Sequence, residues 1–553
     1  MSTSSELHCT TWHQPSQPRH HGAESGARLA PRLSLSYTVG VTPLVVVSWF
    51  LLLPTASGAR AVCGTMAFRD RPPLTVFNLA EGDRPTSVDF ADSLLHPVRV
   101  HRAAGATADQ AAAVLEAIDA AWALQVDGAG FLPPLPDTAS AGGFADDGGD
   151  ARLDVYLSAL TPGTGALTIS GGTDVSRPSF IVLDPQTPDD VLVVGAHHEF
   201  QHVLQFRIDA NESAMWFEST AVAWEVRAHP ETTAWLDLLP AFQQQPVFPV
   251  FVNSGLLPAT AADPTFEYGA ALFVLYLDDR YGAGDGVLWR RLWQGSAQPA
   301  GVTPDRNEPD WLDVLTNDGV DPQALVLDFA AWRALTGSLS VDDDGIVLAL
   351  DGRADLGVRA LRLDSLAGVQ RETSSTEGPF VQGCSVHSGT APTELDIPVR
   401  IEASSVDGHD LGISVVVVDR LARVAVRSIS SIASSVAIDV DVPRGLTMVA
   451  SICDLADTDA DDGPVFAPVL LRLARRDLPS GEGEGEGEGE GEGEGEGEGE
   501  GEGGCGCQQT PGSPIVSQRR GIAFLGLLLG VLGFGVRGWR IVKRRRLYRD
   551  SSR

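Results

Sequence analysis

His198 and His202 stand four residues apart, with Glu199 beside the first, in the segment His198-Glu199-Phe200-Gln201-His202. In a helix, residues at that spacing share a face. Two imidazoles so placed can hold one metal ion, each nitrogen about 2.0–2.1 Å from it. Glu199 is then positioned to take a proton from water at that metal. The apolar run Val191-Leu192-Val193-Val194 precedes the segment, and Val194, Phe200, Val203, Leu204 and Phe206 supply packing positions. Asp189 or Asp190 is the expected N-cap. Catalytic zinc takes three protein ligands and leaves one position open. Sixteen residues beyond His202 comes Glu218, within Met215-Trp216-Phe217-Glu218-Ser219-Thr220-Ala221-Val222-Ala223-Trp224-Glu225. This stretch predicts a second amphipathic helix, and a helix–loop–helix over the span returns Glu218 to the two histidines.

The pentad from His198 to His202, the run Trp216-Phe217-Glu218-Ser219-Thr220-Ala221 and the later Tyr268-Gly269-Ala270-Ala271-Leu272-Phe273 resemble the gluzincin group of zinc metallopeptidases. More narrowly, they resemble secreted metalloproteases of myxobacterial type, over roughly residues 90–335. The resemblance implies an α+β, zincin-like catalytic domain that binds Zn2+, with His198, His202 and Glu218 as ligands and Glu199 as general base. One position departs from the pattern. Many gluzincins carry an Asp four residues after the ligand glutamate, to orient a histidine, and here Val222 occupies that place. Glu225 and Asp209 stand as alternatives for the orienting role. Tyr268, in the first turn of a strongly apolar helix predicted over 265–281, has two readings: a phenol that steadies the oxyanion of a hydrolysed carbonyl, or a packed core tyrosine.

The elements that must position these groups are legible in part. Residues 104–124 predict an amphipathic helix capped by Thr107. Residues 152–157 and 179–184 predict strands, and 139–150 and 161–177 predict loops near the mouth of the cleft. The strand at 179–184, the last before the histidine helix, is expected to edge the cleft and to offer its free backbone to an extended peptide. From Glu225 to about Gly337 the pattern is mostly helical, with Trp289, Trp293, Trp311 and Trp332 as core packing. From residue 340 short alternating runs bounded by Gly, Pro, Asp and Ser predict a β-sandwich: 346–350, 358–363, 394–401, 412–419, 424–429, 435–440 and 447–452. Its only cysteines, Cys384 and Cys453, are expected to pair. The acidic run 457–463 has oxygen ligands at alternate positions but lacks the late glutamate of a calcium loop, and reads as a solvated turn.

The 553 residues suggest roughly two to four domains and carry a net charge of −33. Eleven glutamates belong to the Gly-Glu alternation at 481–504, so most of the negative excess lies elsewhere. No basic stripe appears in the folded part, which argues against a nucleic-acid partner, and the acidity suits a protein working outside the cell.

The two ends point to export. Arg19, Arg28 and Arg32 precede an apolar core at 39–53, and small residues lead to Ala61. This order predicts a signal peptide over 1–61, with an uncleaved anchor as the alternative. After the catalytic domain at 62–339 and the β-sandwich at 340–478, residues 479–504 form a like-charged, core-less stalk. Residues 505–553 hold Cys505-Gly506-Cys507, an apolar run at 521–536 and seven arginines and lysines from Arg537 to Arg549. The positive-inside rule places that basic end in the cytoplasm. The tail resembles bacterial C-terminal sorting signals of myxobacterial surface proteins, which implies processing or anchoring at Cys505 or Cys507. The sequence therefore predicts an exported protein, secreted or held at the cell surface or outer membrane through its C-terminal helix. Its expected activity is zinc-dependent hydrolysis of protein or peptide substrates. The competing reading is a non-catalytic adhesion or binding protein on the same scaffold.

Overall fold

The computed structural model describes residues 62–63 and 84–476, with short interruptions of which 300–308, 341–355 and 457–464 are the longest. The signal region 1–61, the stalk, Cys505, Cys507, the C-terminal apolar run and the acidic turn lie outside the described residues. Among the described residues no helix is long and apolar enough to cross a membrane.

The N-terminal part is a mixed α/β layer. Strands β1 (Val62–Cys63), β2 (Asp89–Asp92) and β3 (Val98–Arg102) precede helix α1 (Ala108–Trp122). Thr107 caps α1 reciprocally with Gln110, as its position predicts: Oγ1 accepts from the Gln110 amide at 3.1 Å, and Gln110 Oε1 accepts from the Thr107 amide at 3.0 Å. Then come β4 (Leu153–Leu157), β5 (Thr164–Ser170) and β6 (Ser179–Leu183). The six strands run in the order β1-β5-β6-β4-β3-β2. β3, β4 and β6 are mutually parallel, and β5 is antiparallel to β6.

Two expectations are corrected here. The stretch 161–177, read as a loop, contains β5. The strand at 179–184, expected at the sheet edge, is β6 and lies inside, between β5 and β4. β6 is buried along its whole length, as its apolar Phe180-Ile181-Val182-Leu183 allows. β5 separates it from the margin, with only the two residues of β1 beyond. Along β5 the faces alternate. Leu167 packs with Phe144, Tyr156, Phe180 and Val182 on one side, while Ala166 joins the core on the helical side.

Helices α2 (Asp189–Ile208), α3 (Ala214–Ala228), α4 (Leu239–Gln243), α5 (Phe266–Gly269), α6 (Ala271–Tyr281), α7 (Val287–Gly295), α8 (Trp311–Asn317) and α9 (Pro322–Arg333) complete this half. Pro188, not an aspartate, occupies the N-cap of α2; Asp189 and Asp190 sit in the first turn, where their charge suits the exposed amides. One core joins Val100, Val155 and Ile181 of the sheet to Phe200 and Leu204 of α2 and to the helices behind α3. There Trp216 stacks on Trp311 at 4.8 Å between centroids, and Trp289 and Trp293 are buried, as expected of core tryptophans.

The C-terminal part is antiparallel for the most part. Short β7 (Leu361–Arg362) and β8 (Gln370–Glu372) lead to β9 (Cys384–Thr390), β10 (Ile397–Ser405), β11 (Leu411–Asp419), β12 (Val424–Ile429), β13 (Ser435–Val442), β14 (Thr447–Asp454) and β15 (Val469–Arg475). Two sheets form, ordered β13-β10-β15-β8 and β12-β11-β14-β9-β7. Val399 and Ile401 of the first share a core with Ile413, Val415 and Ile452 of the second. The reverse face of β11 and β14 packs Val416, Val418 and Val449 against Val326, Leu327 and Ala330 of α9. Cys384 and Cys453 lie directly opposite each other on β9 and β14 and form the expected disulfide, Cα to Cα 4.1 Å.

A buried ionic cluster ties the segment before β2 to the sheet. Arg84 Nη2 reaches Asp137 at 2.5 Å and Nη1 reaches Asp154 at 2.8 Å, while His101 Nε2 meets the other Asp154 oxygen at 2.8 Å. Gly148 approaches so closely that an added Cβ would fall 1.8 Å from Asp154 Oδ2. Burial pushes the Asp137 carboxyl up to about 7 in spite of Arg84, so these acids depend on their cation. Arg84→Met is expected to cost about 3 kcal/mol, because it strands the buried Asp137 carboxyl and leaves Asp154 with His101 alone. Urea unfolding at pH 7 measures it, and a loss under about 1 kcal/mol would mean the cluster is not a stabilising unit.

Candidate metal centre

The site is built on α2 and α3. In α2 a succession of polar side chains is buried: His198, Glu199, Gln201, His202 and Gln205. Burying so many polar groups is unfavourable unless each finds a partner; α3 supplies partners to His198, His202 and Gln205, β5 supplies one to Glu199, and the Gln201 amide has none among the described residues. The turn between the helices is short and fixed. Asp209, fully buried, accepts from the Asn211 amide at 2.8 Å and from the Gln298 amide at 2.9 Å. Ser213 caps α3 by accepting from the Trp216 amide at 3.2 Å.

These constraints bring the three predicted ligands to one point. His198 Nε2 and His202 Nε2 are 3.1 Å apart. Glu218 Oε2 lies 3.1 Å from His198 Nε2 and 3.5 Å from His202 Nε2. The three ligand atoms fall within 4.8 Å of one another, the only such group of His, Cys, Asp or Glu among the described residues. Two nitrogens on one tetrahedral zinc sit about 3.3 Å apart, so the donor set fits that ion.

The outer nitrogens settle the tautomers. His198 Nδ1 meets the Glu225 carboxylate. His202 Nδ1 meets Gln205 Oε1 at 2.6 Å. The Gln205 amide cannot be reversed without loss, because its Nε2 donates to Phe217 O at 3.0 Å and to Thr220 Oγ1 at 2.8 Å. Its Oε1 is therefore an acceptor, His202 Nδ1 carries the proton, and the Nε2 lone pair points to the shared centre. The same reasoning holds for His198, whose partner is an acceptor. The third donor is the buried Glu218 carboxyl, whose Oε2 faces both Nε2 atoms.

Of the two alternatives for the orienting acid, Glu225 takes the role for His198, two turns along α3 from Glu218 on the same face. Asp209 instead anchors the interhelical turn. Gln205 had no place in the sequence reading, although its position three residues after His202 puts it on the same face. Thr168 was missed with β5: its hydroxyl donates to Glu199 Oε2 at 2.7 Å and lies 3.0 Å from Glu199 O. Tyr268 is 7 % exposed and its ring lies parallel to that of His198, 6.0 Å between centroids. His197, the remaining histidine of the run, turns away to Val193 O and His229, each at 3.2 Å; burial, with His229 beside it, pushes it down to about 4.

No known family model matches the chain, and no curated protein matches it.

Proposed function

We propose that this chain is a zinc-dependent metallopeptidase, exported and anchored at the cell surface by its C-terminal tail. The observation that carries the reading is the convergence of His198 Nε2, His202 Nε2 and Glu218 Oε2, with both outer imidazole nitrogens held by acceptors. The gluzincin resemblance of the same residues adds to it.

A zinc ion held by these three side chains would supply Lewis-acid polarisation of the scissile carbonyl and of the attacking water. Glu199 takes the proton of that water and passes it to the leaving amine. Gln205 and Glu225 keep the imidazole lone pairs aimed inward through both steps. Tyr268, stacked beside His198, is the candidate donor to the oxyanion. Burial of Glu199 and His202 excludes bulk water and strengthens each of these interactions.

The test is metal analysis of the purified protein with a casein or peptide digestion assay. About one zinc per chain is expected, with hydrolysis that a chelator removes and added zinc restores. A protein that binds zinc yet cleaves neither casein nor a mixed peptide library would shift the conclusion to the adhesion or binding class.

A further inference from the structure

We infer that Thr168 is a positioning residue for the general base, an inference that rests on the metallopeptidase reading. Thr168 and Glu199 come from different elements and are both buried, at 4 % and 0 % exposure. The threonine hydroxyl carries one hydrogen and has two acceptors in reach, Glu199 Oε2 at 2.7 Å and the Glu199 main-chain oxygen at 3.0 Å. The carboxylate is the stronger acceptor because it is charged. Contacts to both ends of one residue fix its side chain relative to its own backbone, so the torsions of Glu199 are set by the sheet and not by the helix alone.

The strand is well placed for this. Thr168 pairs with Ile181 in the interior strand β6, which is itself held by β4. One pair earlier on the same face, Ala166 lies beneath Gly195 of α2, where an added Cβ would come to 3.9 Å from the alanine methyl. Small residues thus seat the helix close to β5, and the hydroxyl arrives at bonding distance from the carboxylate. A β-branched residue suits the strand and has few χ1 choices, which makes threonine a firmer support than serine. A general base acts only within hydrogen-bond reach of the proton it removes, and a displacement of about 1 Å can cost about 100-fold in rate.

Thr168→Val keeps the shape and removes the donor, while Thr168→Ser keeps the donor and removes the methyl. Both are made in the full chain. For the valine variant, kcat is expected to fall about 10- to 100-fold, with KM changed by less than about 3-fold and zinc content unchanged. A peptide hydroxamate, which ligates zinc and hydrogen-bonds Glu199, should bind the valine variant about 10-fold more weakly; this reading needs no turnover. The serine variant should recover both quantities to within about 3-fold. The inference is overturned if the valine variant keeps wild-type kcat and hydroxamate affinity. It is equally overturned if zinc content or thermal midpoint falls in step with activity and serine restores nothing, since Thr168 is then only structural. A wild-type protein that cleaves no peptide overturns the metallopeptidase reading and this inference with it, an outcome distinct from an active wild type with an unaffected valine variant.

Discussion

His202→Ala is expected to leave the protein without zinc and without activity. The imidazole is fully buried and its Nε2 faces His198 Nε2 across 3.1 Å. Removing it leaves His198 and Glu218, and two protein donors hold zinc poorly where catalytic sites use three. It also strips Gln205 Oε1 of its 2.6 Å partner, which loosens the contact that joins α2 to α3. Because that loss could unfold the region, Glu218→Gln is the companion: it keeps the volume and replaces an anionic donor with a neutral one. After dialysis both variants should retain below about a tenth of an equivalent of zinc, with turnover reduced to the same fraction. Circular dichroism should show Glu218→Gln folded. If either folded variant keeps a full equivalent of zinc, the ligand set is wrongly assigned.

The three converging side chains were legible because helical geometry is local. Four residues of spacing put His198 and His202 on one face, and a second amphipathic pattern within a short loop's reach left Glu218 few other places to go. What held them was less legible. Gln205 acts only because α3 presents the Phe217 carbonyl and the Thr220 hydroxyl at its amide, a contact no pattern within α2 reveals. Glu225 could be named as a candidate from its seven-residue spacing to Glu218, but choosing it over Asp209 required the shape of the turn.

The sheet shows the opposite balance. Its inner strands β3, β4 and β6 are short and buried on both faces, so composition says little about order. Gly163, Gly165, Gly171 and Gly172 make 161–177 look like a loop, yet the Ala166-Leu167-Thr168-Ile169-Ser170 alternation within it is β5. Reading β6 as the edge followed from its place just before α2. Which strand lies outermost depends on antiparallel pairing of β5, a long-range choice. In the C-terminal part the runs in 394–401, 412–419, 424–429, 435–440 and 447–452 became strands; alternation marks β10 and β13, while β11 and β14, buried on both faces, are marked by their β-branched residues. β8, β9 and β15 were missed. β9 is rich in Cys, Ser, His and Gly, and β15 follows the acidic turn at which the predicted set ended. The Arg84 cluster, spanning Asp137 and Asp154, has no sequence signature at all.

Glu199→Gln is expected to abolish hydrolysis while leaving the zinc in place. Glutamine has nearly the volume of glutamate and can still hydrogen-bond water, but it cannot accept the proton. Glu199 is not among the three converging donors, so metal content should match the wild type. Thr168 Oγ1 still finds an acceptor in the glutamine amide oxygen, so the contact with β5 survives and the fold should be unaltered. General-base catalysis is typically worth about 10²–10⁴-fold, and turnover should fall by at least that factor with little change in KM, because the lost interaction belongs to the transition state. The pairing with His202→Ala is what gives the result meaning. Loss of activity with zinc retained in the first, and loss of both in the second, assigns base and ligand separately. Full activity in Glu199→Gln would remove the base from the scheme. A wild type that never cleaves peptide, joined to a surface phenotype untouched by either substitution, would make the zinc structural and the protein a binder.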